Sequence, residues 1–364
     1  MNTKLNFSVG PSKLFPTVKA HLRRLIDGDQ LSFSHRSEEF RETIRNTKNS
    51  IRLLNGIPSN FEIFFVSSAT EVWERLIQNC IHKKSYHLVN GLLSLEFMKT
   101  SKSLGRTVEF DEINLNEDIS KILNSTKAAG CEAICLTHNE SSLGMVVPNE
   151  IIYNFRERYP DKLIFVDCTS SYPCINFELS KIDSFFFSVQ KCFGLPSGLG
   201  VWCLNEKGII KSHHVKSLQS IGSYHSVPKL LSFSKKNETP ETPNMLGIAL
   251  LGNICNEMIP CKTSLLHSDI QIKKRMLYDY ISEKSKIKPL IQNANYQSSN
   301  IICCEFLTSN ARAVMRLLDD LQISVSSGLP HFGKEYIRIA NFPSHSIDEY
   351  LLLIERLETL HSIL

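Results

Sequence analysis

Short, almost wholly apolar runs alternate along this chain with stretches in which apolar residues return every third or fourth position. The first pattern suits strands buried on both faces, the second helices with one buried face. Glu62-Ile63-Phe64-Phe65-Val66 reads as a strand; it passes into Ser67-Ser68-Ala69-Thr70 and then into helical spacing from Glu71 to Ile81. Tyr86-His87-Leu88-Val89 is a second strand, followed by Asn90-Gly91 and a helical run to Leu104. Thr107 to Ile113 reads as extended and Asn114 to Ala129 as helical. Ala133-Ile134-Cys135-Leu136 is a strand, and Pro148 is placed to open a helix running to Tyr159. Leu163-Ile164-Phe165-Val166 is a buried strand ending in Asp167, and Ser184 to Ser188 and Val201 to Leu204 are two more.

Buried strands alternating with helices predict an α/β fold: a mostly parallel sheet flanked by helices. In such sheets ligands bind at the C-terminal ends of the strands. Ser67 to Thr70, Asn139 to Ser142, Asp167 and Gln190-Lys191 therefore converge on one crevice in this reading. Gly222 to Pro243 is polar and reads as an extended loop. Beyond Met258 a helix leads to strands at Ile301–Phe306 and Tyr336–Ala340, with helical spacing over Phe306–Leu321 and Ile347–Leu360, which predicts a smaller C-terminal α+β domain.

Composition narrows the functional classes. Of 364 residues 42% are hydrophobic, enough for a sizeable core, and 41 basic against 37 acidic residues leave a net charge of +4 without a basic cluster. That balance argues against nucleic-acid or membrane-surface partners. No apolar run reaches the roughly 20 residues that span a bilayer. Met1 to Asn6 lacks a signal-peptide core, so a soluble, cytoplasmic protein is expected. Many of the 11 cysteines sit in apolar runs, which predicts buried free thiols in a reducing compartment, and no metal site is expected.

Four groups of residues can carry chemistry. Lys191 follows an apolar strand, with no other charge between Asp183 and Glu206. It is either an ordinary edge residue or a desolvated amine able to condense with an aldehyde. Asp167, ending a buried strand, suits a helix cap, a metal ligand or the partner of a protonated ring nitrogen. The Ser67–Thr70 turn can cap a helix or bind a phosphate. Arg338, inside the apolar strand Tyr336–Ala340, must face water, an acid or a ligand, and with His35-Arg36 it suits an anionic substrate.

Taken together, these pieces resemble class V aminotransferases of PLP fold type I, and among them the phosphoserine aminotransferases. The resemblance runs through Asn6–Pro11, Ser34-His35-Arg36 with Glu39-Phe40, Asn139-Glu140-Ser141 and Val166–Ser171. It is sharpest at Ser188-Val189-Gln190-Lys191-Cys192-Phe193-Gly194 with Gly198-Leu199-Gly200. The resemblance implies pyridoxal 5′-phosphate (PLP) as cofactor, Lys191 as Schiff-base lysine and proton shuttle, and Asp167 as partner of the pyridinium nitrogen. It places Ser68 and Ala69 at the cofactor phosphate through backbone N–H groups, with Gln190 nearby, and Ser141 beside the ring. Thr242, with Glu241 next to it, matches a residue that reaches the phosphate from a neighbouring subunit, which implies a homodimer with shared sites. Arg338 would hold the substrate carboxylate, and His35 and Arg36 would line the substrate site. The implied domains are a large PLP-binding domain at 15–257 and a small domain of 1–14 with 258–364. The implied partners are amino and keto acids, and the implied step is phosphoserine:2-oxoglutarate transamination in serine biosynthesis.

Three departures stand out. Leu93 occupies the position of the aromatic ring that stacks on the cofactor. Gly328-Leu329-Pro330-His331-Phe332-Gly333 lacks the family's phosphate-binding arginine. Glu241 puts an acid where the family has an asparagine. They keep open a class V aminotransferase of the alanine–glyoxylate or serine–pyruvate type and, more remotely, a non-catalytic scaffold or a cysteine desulfurase of the same fold.

Overall fold

The computed structural model describes residues 4–28, 30–329 and 334–363. Strand β1 (Leu5–Asn6) is followed by helices α1 (Val18–Asp27) and α2 (Glu38–Asn55). The Ser37 hydroxyl accepts from the Phe40 amide to start α2, and Gly56, at φ 64°, ends it in a conformation that favours glycine. The buried stripe Phe40, Ile44, Ile51 and Leu54 turns α2 inward.

A seven-stranded sheet then forms, its strands separated by helices: β2 (Phe61–Val66), α3 (Ala69–Cys80), β3 (Lys84–Val89), α4 (Leu92–Ser103), β4 (Thr107–Glu112) and β5 (Ala133–Thr137). A short hairpin, β6 (Asn139–Glu140) with β7 (Met145–Val146), precedes α5 (Asn149–Arg158), and β8 (Leu163–Asp167), β9 (Ser184–Ser188) and β10 (Gly200–Asn205) complete the strands. Their order is β2-β10-β9-β8-β5-β3-β4. Strand β10 alone runs antiparallel, pairing Gly200 with both Val66 and Ser188. The other six are therefore co-directional, which puts the C-terminal ends of β2, β5, β8 and β9 along one edge.

Helices α6 (Glu206–Leu218), α7 (Val227–Ser234) and α8 (Met245–Met258) follow. Helix α8 is apolar nearly all round and buries Ile248, Leu250, Leu251, Ile254 and Cys255. It packs so closely on α2 that a Cβ at Gly252 would come within 2.5 Å of Thr47 Oγ1.

Helix α9 (Lys262–Glu283) leads into a four-stranded antiparallel sheet of β11 (Ile287–Pro289), β12 (Ile301–Phe306), β14 (Ser326–Ser327) and β15 (Ile337–Ala340). Helix α10 (Ala311–Asp320) and β13 (Ile323–Ser324) fall between β12 and β14, and α11 (Ile347–Ile363) follows β15. Leu277, Ile281, Val314, Leu318, Tyr350, Leu353 and Leu357 from the helices bury Ile302, Cys304, Ile337 and Ile339 of this sheet. Strand β1 pairs in parallel with β13, so Phe7 enters the same cluster.

Two elements depart from the sequence reading. Residues 114–129 form only short 3₁₀ turns, Ile119–Asn124 and Lys127–Gly130. Asn116 adopts φ 66° and interrupts any regular helix, while Ile119 and Ile122 anchor the segment in the core. The polar 222–243 stretch is not wholly extended: Pro228 fits the first turn of α7, whose Val227 and Leu230 are buried. Every cysteine except Cys261 is buried and unbonded.

Candidate active site

The edge that collects the strand ends brings Lys191, Asp167 and Ser141 together. Asp167 is the last residue of β8, Lys191 lies just past β9, and Ser141 follows β6. All three are buried. Lys191 Nζ donates to Ser141 Oγ at 3.1 Å. Burial pushes the Lys191 amine below its ordinary pKa, while Asp167 opposes the shift. A lowered amine pKa means more of the unprotonated nucleophile at a given pH.

Asp167 carries one fixed donor on each oxygen. Trp73 Nε1 donates to Oδ2 at 2.8 Å, and the Thr169 amide donates to Oδ1 at 2.8 Å. Burial pushes the Asp167 carboxyl up, and the donors from Thr169 and Trp73 and the charge of Lys191 pull it back. Trp73 escaped the sequence reading because it sits on the apolar face of α3 with Val72 and Leu76. The one available signal is that a buried indole N–H needs an acceptor.

Arg338 reaches the same place from β15. Its Nε donates to the Ser327 carbonyl at 2.8 Å and its Nη1 to the Ser141 carbonyl at 3.1 Å. Arg338 and Lys191 thus both bond to Ser141, the first to its carbonyl and the second to its hydroxyl. Beneath, Gly91 permits a close approach: a Cβ there would fall 2.3 Å from Glu140 Cγ. Glu140 in turn accepts from the Ser94 and Ser142 amides and holds the Ser141 turn against α4.

Of the two roles open to the turn before α3, the structure shows the cap. The Ser68 hydroxyl caps α3 by accepting from the Glu71 amide at 3.1 Å. Ala69 N–H donates to Ser188 Oγ at 2.8 Å, so it is not a free phosphate donor here. The Glu71 carboxylate accepts from the Ser67 amide and hydroxyl at 2.7 and 2.6 Å and pairs with the buried Arg75. This reciprocal pattern is a capping box shifted by one residue.

The remaining candidates are dispersed. Gln190 Oε1 is buried without a hydrogen-bond partner. Leu93 packs against the apolar cluster that holds Trp73 and Phe97. His35 Nδ1 lies 3.3 Å from the exposed Thr242 hydroxyl. Arg36 does not stand free for a substrate: its Nη1 meets Glu238 Oε2 at 3.0 Å and the Thr239 carbonyl at 2.8 Å, and its guanidinium covers the Phe233 ring. A carboxylate in the same chain has claimed it. Glu241 keeps a buried, unpartnered Oε2, and burial pushes its carboxyl up. Residues 330–333, where the family's substrate arginine was sought, lie outside the described residues.

A buried lysine and aspartate at the strand ends of such a sheet are what an enzyme needs to hold an aldehyde cofactor with an electron-accepting ring. Known proteins agree. A model of the family Aminotransferase class-V matches residues 5–335, and the chain belongs to that family. The phosphoserine aminotransferase of Corynebacterium glutamicum (strain R) is 23% identical over 351 residues, covering 93% of this chain and 89% of the relative. The crystal structure of a phosphoserine aminotransferase SerC from Cytophaga hutchinsonii ATCC 33406 superposes with a TM-score of 0.95 at 39% identity, covering 99% of both chains. An alanine–glyoxylate aminotransferase from Nostoc sp. shares the fold, with a TM-score of 0.84 at 17% identity over 99% of this chain and 96% of that one. This chain is a PLP-dependent transaminase, and its substrates are amino and keto acids. The donor set fits the cofactor: a buried amine, a buried carboxylate with acceptor capacity to spare, and the unpartnered Gln190 Oε1.

Proposed function

We propose that the chain transfers the amino group of phosphoserine to 2-oxoglutarate, the step that feeds serine synthesis. What carries the reading is the cluster around Lys191: a buried amine on the Ser141 hydroxyl, with Asp167 on one side and Arg338 on the other. The substrate follows from the 39% identity to the Cytophaga hutchinsonii phosphoserine aminotransferase.

Bound PLP supplies an aldehyde that condenses with amines and a protonated ring that accepts electrons. Asp167 keeps the ring nitrogen protonated, since a buried anion beside it favours the charged ring. Lys191 Nζ would hold the cofactor's aldehyde end, and as an amine of lowered pKa it would carry the proton that leaves the substrate's α-carbon. Ser141 Oγ holds Nζ in line, and the Nη2 end of Arg338 takes the α-carboxylate. Ser68, Ala69, Gln190 and Glu241 surround the phosphate end, Leu93 packs at the ring face, and His35 and Arg36 line the approach. For Ala69 this role requires its amide to leave Ser188 Oγ. Thr242 reaches across a homodimer, a reading supported by the exposure of its side chain. Residues 15–257 form the cofactor domain, and 1–14 with 258–364 form the small one, a division supported by the pairing of β1 with β13. No helix among the described residues is long and apolar enough to cross a membrane; the unbonded cysteines support a reducing, cytoplasmic setting.

Adding amino donors one at a time to the PLP-loaded protein tests the substrate. Glutamate and phosphoserine should bleach the visible band of lysine-bound PLP, while alanine and serine should leave it. Bleaching by alanine or serine but not phosphoserine would favour the alanine–glyoxylate or serine–pyruvate type. That second reading is favoured by one observation: Arg36 is already held by Glu238 and Thr239.

A further inference from the structure

We propose that Trp73 is a positioning residue that acts through Asp167: its indole N–H holds the carboxylate as an anion in one orientation, the one that would face the cofactor's ring nitrogen. The inference rests on the reading of Asp167 as the group that faces the ring nitrogen.

The geometry is specific. Trp73 is buried on α3, and its ring stacks on Phe97 at 5.5 Å with an interplanar angle of 14°. Phe97 is itself held edge-on by His87 and Phe186. This packing leaves the indole one orientation, the one that places Nε1 2.8 Å from Asp167 Oδ2. An indole N–H only donates, so it is best satisfied by an ionised oxygen. With the Thr169 amide on Oδ1, both oxygens are pinned and the carboxylate cannot rotate without losing a bond.

The need for such a donor follows from the surroundings. Burial favours the neutral acid at Asp167, and a neutral acid would no longer hold the ring nitrogen protonated. Lys191 is the charged group that faces Asp167; Arg338 and Glu140 act on Lys191 in turn, and the neighbouring Cys168 thiol is held well above its ordinary pKa by burial. The help Lys191 gives Asp167 depends on the charge its amine carries, whereas the neutral donor of Trp73 is constant. Because Trp73 lies just beyond the Ser68 cap of α3, the same helix ties the turn at the cofactor's phosphate end to the carboxylate at its ring end.

The test uses Trp73→Phe, which keeps an aromatic ring against Phe97 but is smaller and lacks the donor, alongside Asp167→Asn and the double variant, which separates the donor from the packing loss. PLP affinity of the apoprotein, the pH midpoint of the visible band, and kcat and KM for glutamate are read. Trp73→Phe should weaken PLP binding about tenfold, the order expected for a lost bond to a charged acceptor. It should also shift the band's pH midpoint and lower kcat while KM changes less than about twofold. Added to Asp167→Asn, it should change little further. Wild-type affinity and pH midpoint in Trp73→Phe would overturn the inference while leaving Asp167 in place. An equal loss on both backgrounds would overturn it too, by showing that Trp73 serves packing alone. An Asp167→Asn variant that binds PLP as tightly as wild type would sink the Asp167 reading and this inference with it. If Trp73→Phe does not fold, the wild type labelled with 5-fluorotryptophan decides. The chain has only two tryptophans, and Trp202 donates to Ser184 Oγ at 2.9 Å elsewhere in the sheet. The Trp73 fluorine signal should move when PLP is added while that of Trp202 stays; a Trp73 signal that does not move overturns the proposal.

Discussion

The two ends of the proposed cofactor site are built in opposite ways. At the ring end the polar groups of one chain answer one another: Lys191 with Ser141, Asp167 with Trp73 and Thr169, and Arg338 with two carbonyls, all with spare capacity aimed at one space. At the phosphate end the donors are already spent. Ala69 serves Ser188 and Ser67 serves Glu71, while Glu241 keeps a buried oxygen without a partner among the described residues. The difference teaches that burial in a crevice does not make a ligand site. On the proposed reading the ring end is set before anything binds, whereas the phosphate end would exchange internal bonds for external ones.

The sharpest way to break this comparison is at the ring end. Lys191→Ala should abolish the visible band of lysine-bound PLP and lower transamination by at least about a thousandfold; spectra and turnover with glutamate measure both, and a variant with full turnover would remove Lys191 from the chemistry. Arg338→Gln should raise KM for the amino donor by roughly ten- to a hundredfold, with a smaller fall in kcat, because a charge-assisted pair to a carboxylate is lost. Steady-state kinetics with glutamate decide it; an unchanged KM would leave Arg338 as a clamp on the Ser141 and Ser327 carbonyls alone.

Acid should loosen the ring end. His138, whose amide donates to the Asp167 carbonyl at 3.0 Å, has its imidazole pKa lowered to about 4 by burial. The unfolded chain binds that proton nearer pH 6.5, so this contribution to stability is full above 6.5 and is lost as pH falls toward about 4. The loss is about 2 kcal/mol by pH 5. His345, lowered to about 4, adds a similar loss in the smaller sheet's layer. His87, lowered to about 3 by burial, adds another; urea unfolding at pH 7.5 and pH 5 measures the sum, and His138→Asn should shrink the difference by about a third. The smallest effect belongs to the phosphate end. Glu241→Gln removes a half-buried acid whose carboxyl is already pushed up, and it should tighten PLP about threefold by removing repulsion of a phosphate dianion. Fluorescence titration of the apoprotein tests it; weaker binding would mean that the carboxyl supports the loop instead.

Much of the ring end was legible in the sequence, because a charged residue at the end of an apolar run has few places to go. Lys191 and Asp167 stand out on that ground, and strand direction alone puts them on one edge. Trp73 was not legible: its partner lies far along the chain, and on α3 it reads as one more core residue. Arg36 shows the converse. Its pairing with Glu238 spans two segments that no local pattern links, so the sequence shows the charge and not its owner. The same holds for residues 114–129, where helical spacing was real but Asn116 and the pull of Ile119 and Ile122 into the core selected short turns.

By itself, then, the sequence determined the layering of helices on a parallel sheet, the smaller layer after Met258, and the lysine and aspartate at the strand ends. These follow from local periodicity and from the cost of burying charge. Only the tertiary structure decided which donors are free and which are spent, since that depends on distant segments meeting: Trp73 with Asp167, Ser188 with Ala69, Glu238 with Arg36. A hydrogen bond is a matter of a few tenths of an ångström, and hydrophobic patterning does not resolve distances that small.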